Sequence, residues 1–147
     1  MSKDIPHIVD IEKSRAFDPW SESDIKKNVT KPGTVAIVAR DRDSDIVGWS
    51  VYSAEDKSLL IKRLSVSLWT KRQGVATSMV NYIKARLESG DRFWIRCDVP
   101  ESQLENGCVF LRECGFVSKL MFSEGQSPSH WNTPEPGVEM IFRKGWE

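Results

Sequence analysis

A strand that passes through a basic, glycine-containing turn into an amphipathic helix constrains this chain more than any other feature. Residues 58–66 alternate polar and apolar side chains after Lys62, which predicts a strand. In residues 75–87 apolar side chains recur every three or four positions, which predicts a helix that ends near Gly90. The chain must therefore turn from a strand into a helix within residues 67–74.

The turn is suited to holding an anionic group. Gly74 permits the backbone to turn without the steric cost of a Cβ atom, and the small Ala76 lets a ligand approach. The first N–H groups of the helix lack intrahelical partners, so a pyrophosphate fits there. The alternative is a solvated basic turn before an ordinary surface helix. The glycines of a Walker loop or of a dinucleotide fingerprint are not present.

The remaining segments predict a mixed sheet. Helices are predicted at residues 8–17, from the N-cap Ser21 to about 29, 75–87 and 104–114, and strands at 34–39, 46–54, 58–66, 93–99, 117–122 and 138–143. The 93–99 strand is of the kind buried on both faces. Antiparallel strands followed by a strand-helix-strand-helix unit predict an α/β (α+β) fold with a mostly antiparallel central sheet and helices on both faces.

Composition narrows the class of protein. The chain has 147 residues and 39% apolar content, which predicts one domain over residues 1–147. Basic and acidic side chains balance at 21 each and are interleaved, so we expect no nucleic-acid or membrane partner. The N-terminus lacks the apolar run of a signal peptide, and no stretch is long enough to cross a bilayer, so we expect a cytoplasmic protein.

Cysteine and histidine usage predicts no metal site. Cys97, Cys108 and Cys114 are odd in number and lack paired spacing, so we expect reduced thiols in the core. His7 and His130 are isolated. His130 lies beside a tryptophan in the long polar loop at 123–137, where a substrate contact and a plain surface role are both open.

The turn resembles the signature of the GNAT superfamily of N-acetyltransferases, which reads Gln/Arg-x-x-Gly-x-Gly/Ala after a Leu-x-Val strand. Lys71 stands where the family prefers Gln or Arg, and Gly74 and Ala76 match. The resemblance covers nearly the whole chain. Residues 17–22 resemble the branch that acetylates the N-terminal alanine of a ribosomal protein, and residues 110–116 are similar to the family's helix ending in Gly-Phe.

The resemblance implies a site for acetyl-CoA between splayed strands. Its pantetheine arm would pair with the backbone of Leu64 and Val66, and Gln103 would replace an asparagine that touches this arm in the family. Its pyrophosphate would meet the helix N-terminus. The implied cofactor-binding residues are Leu64, Val66, Lys71, Arg72, Gln73, Gly74, Val75, Ala76, Thr77 and Gln103.

The same resemblance places Asp98 at the catalytic glutamate position, with Glu101 as a second candidate. An aspartate that only ends a strand or pairs with Arg96 is the alternative. The family's usual acid, a tyrosine, is replaced by Leu111. Either another residue or solvent then protonates the leaving thiolate, or the chain binds CoA without turnover.

Three acceptor hypotheses stay open. The first is a peptide N-terminal α-amine, whose pKa of about 7.8 makes deprotonation cheap compared with a lysine at about 10.4. The second is a small molecule such as a polyamine or an aminoglycoside, against which the loop's few acids, Glu124 and Glu135, weigh. The third is a CoA-binding module without activity. The chain is expected to be a monomer or a homodimer.

Overall fold

A computed structural model describes residues 2–14, 18–67 and 74–146. The predicted pyrophosphate contacts Lys71, Arg72 and Gln73 lie outside the described residues. The described residues form six strands: β1 Thr34–Arg40, β2 Ile46–Ala54, β3 Ser58–Val66, β4 Trp94–Pro100, β5 Val117–Phe122 and β6 Gly137–Arg143. The α-helices are α1 Ile5–Lys13, α2 Glu22–Val29, α3 Val75–Ser89 and α4 Val109–Glu113, and a π-helical turn, Leu104–Cys108, precedes α4.

The strands form one sheet in the order β1-β2-β3-β4-β6-β5. Within the described ranges, β3 and β4 are the one parallel pair, and the other neighbours are antiparallel. The predicted mixed, mostly antiparallel sheet is therefore confirmed. The predicted hairpin of the first two strands and the bounds of β3 are confirmed as well.

Each face of the sheet carries its own apolar cluster. The larger cluster joins β3 and β4 to α3 and α4, through buried side chains such as Ile61, Ile83, Ile95 and Leu111. The second cluster joins β2 to α1 and α2, and it is built around Ile8, Ile11, Trp20, Ile25, Trp49 and Val51. Burial of apolar surface on both faces is the main force that holds the helices to the sheet.

Local signals explain where the first two helices begin and end. Ser21 caps α2 through a reciprocal pair of hydrogen bonds with Asp24, as its sequence predicts. The prediction for α1 was wrong in its bounds, because the helix begins at Ile5, with Pro6 in its first turn, where a missing N–H costs nothing. Residues 15–17 of the predicted helix lie outside the described part.

Two further expectations need correction. The strand β4 is not buried on both faces: Ile95 and Val99 are buried under helices, whereas Trp94 and Arg96 on the other face are half-buried. The helix expected at 104–114 begins as a π-helical turn. The cysteines are free thiols, with Cys108 and Cys114 buried as predicted and Cys97 only partly buried.

Gly48 on β2 lets the N-terminus of α3 lie directly against the sheet. A Cβ atom at this glycine would stand 2.9 Å from Val75 Cγ1 and 3.2 Å from the Ser65 carbonyl oxygen. Any side chain would push the helix outward. Among the described helices, none combines the length and the apolar character that crossing a bilayer requires.

Candidate active site

The strands β3 and β4 separate after a short stretch of pairing. Only residues 58–61 of β3 pair with residues 94–97 of β4, although the two strands continue to Val66 and Pro100. A bulge places Lys62 outside the register with β2, and bulges bend and twist the strand that carries them. A wedge therefore opens between the carboxyl ends of two adjacent strands.

Backbone groups of β3 line one side of this wedge. The Ser67 N–H donates to the Val47 carbonyl oxygen at 2.8 Å, so the polar backbone groups of Ser67 face β2. Because these groups alternate direction along a strand, those of Leu64 and Val66 face the wedge. The sequence singled out the same two residues.

The N-terminus of α3 follows the mouth of the wedge. Gly74 is the N-cap and has a φ of 77°, a conformation that favours glycine. Among the described residues, a Cβ atom at this position would have no neighbour within 4 Å, so these residues leave the space beside the helix end open. The first N–H groups of the helix, at Val75, Ala76 and Thr77, have no preceding helical carbonyl to bond. Gln103 lies half-buried in the turn that follows β4.

Asp98 lies near the end of β4, on the face opposite Ile95 and Val99. Its side chain is only 3% exposed, and its carboxylate contacts the Arg96 guanidinium at 3.3 Å. Burial raises the pKa of Asp98, although the adjacent Arg96 acts in the opposite direction. The predicted pairing with Arg96 is present, and a buried carboxyl with a raised pKa is also what a general base requires.

The other proton-transfer candidates are less well placed. Glu101 is exposed, and its backbone N–H donates to the Pro136 carbonyl oxygen at 2.8 Å. Leu111, at the position of the family's tyrosine, is buried in the core and cannot act as an acid. Tyr52 is buried as well, and burial raises its pKa. Tyr82 lies on α3 with 48% of its surface exposed.

A buried charge network beside the wedge was missed in the sequence. Glu12 on α1 is 0% exposed and accepts hydrogen bonds from Arg63 Nη2 at 3.0 Å, Trp49 Nε1 at 2.9 Å, Ser65 Oγ at 3.0 Å and the Trp20 N–H at 2.8 Å. The available signal was a glutamate adjoining the apolar stripe of α1. The network fixes α1 and the segment before α2 against β3.

The same network holds the long loop that precedes β6. Asp18 lies 3.7 Å from the Arg63 guanidinium, and its carboxylate accepts the backbone N–H groups of Asn132 and Thr133 at 3.0 Å each. Trp131 packs on Phe122 with ring centroids 5.6 Å apart. The loop is therefore anchored across the sheet face that carries Asp98.

His130 in this loop is buried, which disfavours the plain surface role, one of the two alternatives that the sequence leaves open. Burial, and after it the cationic groups of Lys62, Arg63, Arg96 and Lys31, together lower the pKa of His130 to about 3. The imidazole is consequently neutral at physiological pH. It can donate or accept a hydrogen bond, but it is a poor proton acceptor.

This arrangement can hold an extended polar chain along the wedge, with an anionic group at the α3 N-terminus and a carboxylate on the far face of the sheet. A scan against protein-family models finds no match, and a search of curated proteins also finds none.

Solved structures with the same architecture carry acetyltransferase names. The ribosomal-protein-S18-alanine N-acetyltransferase from Escherichia coli matches with a TM-score of 0.80 and 15% identity, over 97% of this chain and 89% of that chain. Ard1 from Thermoplasma volcanium matches with a TM-score of 0.81 and 16% identity, over 97% of this chain and 93% of that chain. An aminoglycoside 6'-N-acetyltransferase complexed with coenzyme A matches with a TM-score of 0.72 and 12% identity, over 95% of this chain and 90% of that chain. The chain thus has the fold of the GNAT N-acetyltransferases, as its turn motif predicted.

The Glu12→Gln variant should lose about 3–5 kcal/mol of unfolding free energy, because a buried Arg63 would keep only part of its compensating charge. Urea denaturation measures this loss. Glu22→Gln is the matched control, since Glu22 forms an ion pair with Lys26 at 3.1 Å with its side chain 57% exposed, and it should lose less than about 1 kcal/mol. Equal losses in the two variants would contradict the role of Glu12.

His130 should make stability fall with acid. Its folded pKa of about 3 lies below the unfolded value of about 6.5. The stability that the neutral imidazole contributes is therefore present above the unfolded pKa, and it is lost as the pH falls toward the folded pKa. Between pH 6.5 and 5 this loss amounts to about 1–2 kcal/mol. Denaturation at both pH values should show it in the wild type and in His7→Gln, but not in His130→Gln. An unchanged pH dependence in His130→Gln would refute this assignment.

Proposed function

We propose that this chain is a single-domain N-acetyltransferase that moves an acetyl group from acetyl-CoA to a primary amine. The observation that carries the proposal is the wedge between β3 and β4, where the parallel register ends after four residue pairs. A strand edge of this kind offers backbone donors and acceptors to a ligand with amide groups. The likeness to acetyltransferase structures supports the same conclusion.

The residues present suit acetyl-CoA. The pantetheine arm is extended and carries amides, and the wedge-facing backbone of Leu64 and Val66 would hold it. The pyrophosphate is anionic, and the open N-terminus of α3 at Gly74 would receive it. Lys71 and Arg72 would add positive charge, and Gln103 would contact the arm from the β4 side. The CoA complex of one structure with the same fold agrees with this use of the fold.

Acetyl-CoA, when bound, supplies the thioester acetyl group that forms the new amide bond, and its sulfur leaves as a thiolate. Asp98 accepts a proton from the acceptor ammonium and so provides the neutral amine that the reaction needs. Since Leu111 is buried in the core, the leaving thiolate takes its proton from solvent or from the amine rather than from that position.

The acceptor that suits this site is a peptide N-terminal α-amine. Its deprotonation at neutral pH costs about 1 kcal/mol, against about 4–5 kcal/mol for a lysine, so a moderate base is sufficient. Burial lowers the pKa of Lys62, and the positive charge of the nearby Lys31 acts in the same direction. Both cations also act on His130, which disfavours a polycationic acceptor such as a polyamine.

The Gly74→Glu variant should lose acetyl-CoA affinity by at least tenfold, about 1.4 kcal/mol, because its carboxylate would occupy the space at the α3 N-terminus where the pyrophosphate would bind. Isothermal titration calorimetry measures the affinity. Gly33→Glu is the matched control, since Gly33 has a φ of 76° and a Cβ there would meet only ordinary contacts at 3.9 Å. Failure of the wild type to bind acetyl-CoA would overturn the proposed function.

The Asp98→Asn variant should lower kcat about 100-fold and leave the KM for acetyl-CoA nearly unchanged, because the carboxylate acts on the amine. Asp91→Asn is the control, since the Asp91 side chain is 96% exposed just before β4. The assay follows CoA release with peptides bearing free N-termini and with spermidine. Turnover with spermidine but not with peptides would contradict the peptide acceptor, and the absence of CoA release with every amine tested would leave a CoA-binding module.

A further inference from the structure

A chain of alternating charges leads away from Asp98 across the sheet. Asp98 on β4 stands directly opposite Glu139 on β6, so the two carboxylates share one face. Arg96 lies between them: its Nη2 is 3.3 Å from Asp98 Oδ2 and its Nε is 3.6 Å from Glu139 Oε2. One guanidinium is therefore shared by two carboxylates.

The chain of charges ends at solvent. Lys119 is the residue that the bulge in β5 leaves out of register, and its Nζ lies 3.8 Å from Glu139 Oε1. Side-chain exposure is 3% for Asp98, 37% for Arg96, 15% for Glu139 and 59% for Lys119, so the series begins at a buried carboxylate and ends at an exposed amine. Two acids and two bases balance each other, so the series has no net charge while every group is ionised.

We propose that Glu139 is a positioning residue, which holds the far side of Arg96 so that Asp98 can take a proton without leaving that guanidinium unpaired. The inference rests on the proposed role of Asp98 as the base. Within the described part of the chain, the loss of Glu139 would leave Arg96 with Asp98 as its one carboxylate partner, and protonating Asp98 would then leave a half-buried cation without an anionic partner there.

The proton transfer is balanced. An N–H bond of the acceptor ammonium breaks, its electron pair stays on nitrogen, and the proton joins an oxygen of Asp98. Arg96 then pairs with Glu139, and the proton later leaves Asp98 for solvent. Arg96 lowers the pKa of Asp98, and Glu139 raises it, so the two neighbours act in opposite directions.

Other ionisable groups reach this face from neighbouring elements. They are Lys62 and Arg63 on β3, the Glu12 and Asp18 carboxylates that neutralise Arg63, Lys119 on β5, and the neutral His130 in the loop. Burial comes first among the causes of the Asp98 shift, followed by Arg96 and then Glu139. These two neighbours are therefore the ones to alter.

The test compares the pH dependence of kcat/KM in Glu139→Gln and Arg96→Met. The acidic limb should move to lower pH in Glu139→Gln, with a plateau about tenfold lower, and to higher pH in Arg96→Met. Glu139→Asp keeps the charge and should restore the limb. Glu113→Gln, an exposed change on α4, is the control and should match the wild type. Shifts of the same sign in Glu139→Gln and Arg96→Met would overturn the inference.

A second readout does not need activity. Carbon-13 NMR of labelled aspartate carboxyls follows the titration of Asp98, and Asp98→Asn identifies its signal. The pKa of Asp98 should fall in Glu139→Gln, and an unchanged titration would overturn the role of Glu139. A shifted titration with an unmoved kinetic limb would instead overturn Asp98 as the base, which separates this inference from the proposed function.

Discussion

The ion pair between Glu12 and Arg63 is the interaction on which the rest of the structure depends. Both side chains are withdrawn from water, so each needs the other and the hydrogen bonds around them. Those hydrogen bonds come from β2, β3 and the segment before α2, and Asp18 extends them to the loop before β6. A displacement of any one of these elements would leave a charged side chain in the apolar core without one of its hydrogen-bonding partners. The face that carries Asp98 is therefore enclosed by parts that cannot move independently.

The bulge at Lys62 connects this ion pair to the wedge. Ile61 and Leu64 both pack toward α3 and α4, whereas Arg63 points to Glu12 on the opposite face. Strict alternation from Ile61 would send Arg63 into the apolar cluster, so the extra residue is what lets a charged side chain and an apolar one both reach suitable surroundings. The same residue lies where β3 and β4 stop pairing. One local irregularity thus separates the strands and directs Arg63 to its partner.

The predictable features were those that local patterns encode. Periodicity gave the bounds of β3 and the start of α3 at Val75, and a capping residue gave the start of α2. Glu12 and Arg63 are 51 positions apart, and no periodicity reports such a pair. The burial of His130 depends on a loop anchored by Asp18, over a hundred residues away, so its neutral imidazole was equally invisible. Pairs that form only through the tertiary fold are what the sequence does not reveal.

In the proposed reaction, the charges on the face that carries Asp98 limit how strong a base the site can provide. Asp98 is buried, which favours its protonated form, yet Arg96 favours the carboxylate, and the outcome is a base of intermediate strength. His130 cannot supplement it, because burial and the surrounding cations lower its pKa to about 3 and so make the imidazole a weak proton acceptor. An acceptor that must lose a tightly held proton, such as a lysine ammonium, would need about 3–4 kcal/mol more assistance than an α-ammonium. Under the proposed function, the electrostatics of this face would favour an acceptor with a low amine pKa, which is the property that distinguishes a chain's N-terminus from its side-chain amines.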